Sequence, residues 1–450
     1  MPPRITKLWQ DLRASLWLRP ILFVAIGIVL GVALPALERQ WPALSAALGG
    51  SWLAHYIPST PASSREVLIG MAAALVTVVA VAASMTMVTV QLASSQYTPR
   101  LLRRFLADTA TQRMLGTFLA TVTYLLLVLG VMGSDAEEQG RQPLPLLSLL
   151  LSMVLTLLCL LLLPRFLHHA GRSVQADTVI SQVGREAIAE LKQMHFHPDE
   201  ELGEARPGLD EPATVLASEE TGYLQLIDVK RLLALLPPGT RAVRLEMRPG
   251  DFLFPGLPLL SFWPRVPLEP RRQARLHAAF AVGRERTVQQ DVLYGVRQLV
   301  DVALKALSPA INDVTTALMV VNELGAVGRA VARHGYLGHG WWALRRGEIT
   351  LWMSGFGLVP FLHEAFGEIP AAAASQPRVL TRILEVLSQL AAMEEREPLR
   401  RALVQCGHEV YEASRLAPSH EADTRRVLER WQELQRAVHH PEALLVPPIH

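Results

Sequence analysis

Four stretches of the chain, Pro20 to Leu37, Val67 to Leu92, Leu115 to Met132 and Leu144 to Leu163, are apolar throughout and hold no Lys, Arg, Asp or Glu. Each is close to the roughly 17–25 residues that a helix needs to cross about 30 Å of hydrocarbon. A backbone in lipid must satisfy its own polar groups, so runs of this length predict membrane helices. Arg4, Lys7, Arg13 and Arg19 precede the first run. That run is long and no small-residue cleavage site follows closely, so it reads as a retained anchor rather than a signal peptide.

Basic residues set the expected orientation. They cluster before the first run, after the second (Arg100, Arg103, Arg104, Arg113) and after the fourth (Arg165, Arg172). The other two connections hold Arg39, Arg65 and Arg141, the last beside Asp135, Glu137 and Glu138. Both termini, and with them the large C-terminal half, are expected on the cytoplasmic side.

The second run differs from the leucine-rich fourth. Gly70, Thr77, Ser84 and Gln91 recur at heptad spacing and share one helical face. Such a face can be a seam where helices pack closely and hydrogen-bond. It can also line water in a pore built by several subunits, or form a groove for lipid or a small molecule. Pro99 breaks the helix near the membrane boundary. Leu101, Leu102, Phe105 and Leu106 then alternate with Arg103 and Arg104, as in a short amphipathic helix lying at the lipid surface. Arg100, Arg103 and Arg104 form a basic collar that either meets lipid phosphates or lines a pore mouth.

The rest of the chain is built differently. Pro164 to Gln193 reads as a helical extension of the fourth span. His195 and His197 stand near Asp199, Glu200 and Glu201, but without further ligands at metal-site spacing they read as a polar linker. The stretch to Pro212 reads as a loop. Short alternating runs with Pro249-Gly250-Asp251 and Pro255-Gly256 turns over 213–263 suggest a small β-barrel or sandwich. The turn region around Arg248 to Leu259 is similar to that of lipoyl-type barrels, without the carrier lysine. From Pro270 onward the pattern is helical. Thr287 and Gln290 fit a capping box, and Val292, Val296, Leu299, Val300, Ala303, Leu304 and Leu307 mark a buried face, with Tyr294, Gln298, Asp301 and Lys305 on another. Asn312 and Asp313 sit at a helix junction, as caps or as candidate binding residues.

The expected architecture is therefore a four-helix transmembrane domain (1–163), a helical extension and linker (164–212), a small β-rich domain (213–269) and a helical C-terminal domain (270–450). Composition agrees: 19% of residues are charged, against about a quarter in soluble proteins. A net charge of +2 gives no case for nucleic acid. Cys159 and Cys406 stand alone, His363-Glu364 lacks the second histidine of HExxH, and no phosphate loop, GxSxG turn or dinucleotide fingerprint is present. Nothing points to an enzyme, a metal or a cofactor.

Several motifs occur together: Thr89 to Leu102 (TVQLASSQYTPRLL), Gly222-Tyr223 with Arg248 to Phe252 (RPGDF), Gly283 to Thr287 (GRERT), Gln290-Asp291, Arg297 to Leu299, and Ala306 to Asp313 (ALSPAIND). In combination they resemble a bacterial family of predicted membrane proteins, domain of unknown function 2254. The family pattern has proline after the Asn-Asp pair, where this chain has Val314. The resemblance implies a multi-pass protein of the bacterial inner membrane with a cytoplasmic region. It implies no activity and carries over no functional residue. The sequence favours a homo-oligomeric ion channel gated by its cytoplasmic half and in contact with membrane lipids. The alternative is a membrane-anchored sensing or scaffold module without a pore.

Overall fold

A computed structural model describes residues 17–41, 60–134, 145–193, 200–204, 212–334, 341–354, 356–417 and 420–439. The chain separates into two compact units, with the division between Gln175 and Ala176.

The first unit is helical: α1 (Leu18–Gln40), α2 (Pro61–Gln96), α3 (Pro99–Leu106), α4 (Thr109–Ser134) and α5 (Leu146–Ser173). The four long helices are long and apolar enough to cross a membrane, with α3 running into α4. Thr60 and Ser63 form a capping box that starts α2, with Pro61 in the first helical position. Leu68, Leu75, Phe118, Leu125, Leu149 and Phe166 are buried between α2, α4 and α5. Phe118 and Phe166 meet edge to face at 6.2 Å. Helix α1 reaches α4 through small residues. A Cβ on Gly27 would lie 2.5 Å from the Ala120 carbonyl oxygen, and one on Gly116 would lie 3.2 Å from the Pro20 Cα. Glycine here permits the close backbone approach typical of membrane helix pairs.

Among the described residues of this unit, one charged side chain is buried. Glu38, in the last turn of α1, is 4% exposed. Its carboxylate accepts the Leu147 N–H at 2.6 Å and the Ser148 N–H at 3.1 Å, and also the Ser148 hydroxyl. Pro145 offers α5 no side-chain cap. Glu38 thus supplies from another helix the acceptor that the first turn of α5 lacks. The Tyr124 hydroxyl donates to the Ser148 carbonyl at 2.9 Å and fixes the same turn to α4.

The second unit mixes helices and sheets. It runs α6 (Ala176–Gln193), β1 (Glu200–Glu204), β2 (Thr214–Ala217), β3 (Gly222–Ile227), α7 (Val229–Leu235), β4 (Ala242–Leu245), β5 (Phe252–Leu253), β6 (Pro258–Trp263), α8 (Pro270–His277) and β7 (Phe280–Gly283). It continues with α9 (Val292–Ala306), α10 (Val314–His334), β8 (Trp341–Arg346), β9 (Ile349–Ser354), α11 (Leu358–Phe366), α12 (Ile369–Ala372), α13 (Pro377–Ala392), α14 (Glu397–Ala413) and α15 (Glu421–His439).

The strands do not form the small barrel or sandwich expected over 213–263. They make two open sheets, ordered β1-β8-β9-β4-β6-β2 and β5-β3-β7. The larger sheet recruits β1 from the stretch read as a loop and β8 and β9 from the region read as helical. It does so because β4 would otherwise be an open edge: β9 pairs with it in parallel, Val243 opposite Leu351. Residues of both sheets, including Leu216, Leu260, Phe262 and Leu351 with Leu224, Leu253 and Phe280, share one core with Leu232 of α7 and Leu276 of α8.

Helix α10 also has the length and hydropathy of a span. It carries Glu323, Arg329 and Arg333 and packs against α6, α9 and α13 within this unit. Its Ala317, Val320, Val321, Leu324 and Val327 are fully buried.

Candidate functional site

The heptad stripe of α2 faces away from its own bundle. The buried face of the helix carries Leu68, Ala72, Leu75, Val78, Ala82, Thr86, Thr89 and Ala93. Gly70, Thr77, Ser84 and Gln91 lie on the opposite face and are all exposed. A Cβ on Gly70 would meet nothing within 4 Å. The Thr77 hydroxyl donates to the Ala73 carbonyl of its own helix at 3.2 Å. Ser84 and Gln91 have no hydrogen-bond partner among the described residues. Met87 (69% exposed) and Leu92 (43%) flank the stripe.

At the basic end of the bundle the helix ends are tied by polar contacts. Tyr97 ends α2 with its ring buried, and its hydroxyl donates to the Val174 carbonyl at 2.7 Å. Phe105 of α3 stacks on that ring at 5.9 Å. Asp108 caps α4, accepting the Thr111 N–H at 3.1 Å and its hydroxyl at 2.6 Å. The same carboxylate pairs with His169 Nε2 of α5 at 2.6 Å. Beside this pair lies a cavity of about 20 Å³ whose lining includes Thr86, Thr89, Phe105, Asp108, Thr111 and Ser173, enough for about one water. Thr86 and Thr89 donate to the carbonyls of Ala82 and Met85, one turn earlier. Of the basic collar on α3, Arg100 is exposed and Arg104 half-buried; Arg103 lies between them on the same helix.

The second unit brings other sequence-marked residues together. Asp313 caps α10, accepting the Thr316 N–H at 3.0 Å and its hydroxyl at 2.6 Å. Asn312 takes a left-handed φ of 49° and accepts from the Gln376 side chain at 2.9 Å. The capping box expected at Thr287 and Gln290 is not formed. Asp291 caps α9 instead, accepting the Tyr294 N–H at 3.1 Å. Gln290, at φ 56°, bonds in both directions to the Ile227 backbone of β3. The polar face of α9 is turned inward: Tyr294, Gln298 and Asp301 are 7%, 6% and 7% exposed. Glu364 stands 3.7 Å from Arg297, which also binds Asp301. Among the described residues, no group of three or more His, Cys, Asp or Glu side chains could hold a metal. His195 and His197 lie outside the described residues.

A family model described as "Predicted membrane protein (DUF2254)" matches residues 13–389. The chain belongs to the DUF2254 family. Among its relatives is an uncharacterized protein, Rv1290c, of Mycobacterium tuberculosis, 31% identical over 444 residues, covering 97% of this chain and 83% of the relative. The uncharacterized Mb1321c of Mycobacterium bovis matches to the same extent. No solved structure matches. Three of the DUF2254 motifs meet in the second unit. Arg286 makes a two-pronged bond to Asp291, at 2.9 and 3.0 Å, and lies over the Tyr294 ring at 5.2 Å. The Arg248-Pro249-Gly250-Asp251 turn packs on that pair, because a Cβ on Gly250 would lie 2.3 Å from Asp291 Oδ2. These motif residues build a turn and a helix start. The sequence had flagged Gln290 and Asp291 only through the family resemblance and a misplaced capping box. Glu38 carries no sequence signal beyond being a polar residue at the end of an apolar run, and Asp108 and His169 none beyond being polar residues outside such runs.

Proposed function

We propose that this multi-pass membrane protein is a homo-oligomeric ion channel whose pore is lined by α2. The observation that carries the reading is the outward direction of Gly70, Thr77, Ser84 and Gln91. From Gly70 to Gln91 the stripe is about 31 Å long at 1.5 Å per residue, close to the thickness of the hydrocarbon core. Leucine covers the exposed face of α5, where Leu157 and Leu161 are 59% and 67% exposed, as lipid contact requires. The α2 face instead offers small side chains, hydroxyls and an amide without a partner among the described residues. Several copies around an axis would give that amide water or a neighbour. Met87 and Leu92, beside the stripe, supply apolar groups of the kind that gate by dewetting. The Tyr97–Val174 bond ties the end of α2 to the end of α5, and the Asp108–His169 pair ties α5 to α4, so a shift of those helices would move the pore lining.

The test is the assembly symmetry of the purified full-length protein together with its conductance in planar bilayers. A ring with α2 at its axis, and single-channel currents blocked by thiol reagents after Ser84→Cys, would support the channel. A monomer with α2 in lipid and silent bilayers would overturn it in favour of a membrane-anchored module.

A further inference from the structure

We infer that Arg19 of α1 and Arg113 of α4 form a binding site for the headgroup of an anionic phospholipid. Helices α1 and α4 lie side by side, in contact along their length. Pro20 and Phe23 meet Gly116, Gly27 meets Ala120, and Gly31 meets Leu127. Matching numbers rise together, so the helices run parallel, and Arg19 lies within about one turn of Arg113 along the pair. Both arginines are on the facing stripes. Arg113 is in heptad step with Ala120 and Leu127, and Arg19 is one turn before Phe23.

Two guanidinium groups held at one level of a helix pair repel each other unless an anion lies between them. Neither has an ion-pair partner among the described residues. The Nη1 of Arg19 is shielded from solvent and has no hydrogen-bond partner among the described residues, a state that costs free energy until an acceptor arrives. A phosphodiester supplies acceptor oxygens in the fork geometry that arginine prefers. The surroundings fit a lipid rather than a free ion. Trp17 is 60% exposed beside Arg19, where interfacial tryptophans sit. Ile21, Leu22 and Ile26, 60%, 55% and 56% exposed, continue along α1 as a surface for acyl chains. The first turn of α1 has no side-chain cap and no acidic residue to compete for the cations. The inference does not depend on the channel reading.

The experiment is native mass spectrometry of the full-length protein released from detergent. It is loaded in separate arms with phosphatidylglycerol, phosphatidylcholine or inorganic phosphate. Wild-type protein is expected to retain phosphatidylglycerol over phosphatidylcholine, with the preference fading as salt rises. The Arg19→Gln/Arg113→Gln pair should lower that retention about thirty-fold. Arg19→Lys/Arg113→Lys should keep most of it, and Arg165→Gln should leave it unchanged. Equal retention of both lipids by wild type, undiminished phosphatidylglycerol on a folded double glutamine variant, or uptake of inorganic phosphate alone would each overturn the assignment.

Discussion

Removing the Glu38 carboxylate tests whether α1 holds α5 by capping it. In Glu38→Ala, the Leu147 and Ser148 amides, bound at 2.6 and 3.1 Å, lose their acceptor in a region closed to water. Ser148 is fully buried, so water cannot replace the carboxylate without opening the contact. Each orphaned donor costs about 1–3 kcal/mol, and loss of an anion at a helix N-terminus adds up to about 2 kcal/mol. Membrane hydrogen bonds run towards the weak end of such scales. The expected loss for Glu38→Ala is therefore about 3–5 kcal/mol. Glu38→Gln keeps one acceptor oxygen but turns an amide donor towards two N–H groups, and is expected to lose about 1–3 kcal/mol. The assay is unfolding in mixed micelles by a denaturing detergent, with hydrogen exchange followed at residues 146–149. Faster exchange should be confined to that first turn in Gln and extend to α1 in Ala. An alanine variant within about 0.5 kcal/mol of wild type, with unchanged exchange at Leu147 and Ser148, would refute the capping role.

Gly250→Ala should cost about 1–3 kcal/mol in chemical denaturation, because φ is +98° and the new Cβ would press on Asp291. Gly256→Ala, at φ +96° with nothing within 4 Å, should carry the backbone strain alone and cost less; equal losses would refute the clash with Asp291. The Thr316 hydroxyl and amide hold the Asp313 carboxyl below the ordinary aspartate range. Its share of stability is thus complete above that range and is lost as pH falls through the lowered value. Acid titration of unfolding should show a contribution that Asp313→Asn removes, and identical profiles would count against it. Burial pushes the Cys406 thiol up to about 12, and Cys159 is buried as well. Neither should react with a maleimide at neutral pH until the protein unfolds, and labelling of the folded chain at either would contradict the packing.

The spans were legible because lipid imposes one rule on every residue of a crossing helix. The side of α2 that its own bundle uses was not legible in the same way. Leu68, Leu75 and Val78 on the buried face are no more apolar than Val67, Ile69 and Val76 on the exposed one. In water hydropathy separates inside from outside, whereas in a membrane both sides are apolar and only shape decides. Glu38 was invisible for a related reason: a single carboxylate at the end of a run looks like a residue returning to solvent.

In the second unit the hairpin of β8 and β9 had a local signal. Gly347 sits in a two-residue turn between Arg346 and Ile349, which are paired, and Leu351 and Met353 alternate with Thr350 and Trp352. The surrounding helical pattern obscured it. The capping residue of α9 was missed because Asp291 draws its position from Arg286 and Gly250, contacts that no local spacing encodes.

The parallel pairing of Ala242–Arg244 with Thr350–Trp352 bears on how the chain is made. Every residue between those strands must leave the ribosome before β9 can dock on β4. During that interval the nascent chain presents an unmatched strand border of the kind that recruits other chains. A nascent chain stopped after α10 would keep that border open permanently. Early termination there should therefore produce aggregates rather than a smaller working protein.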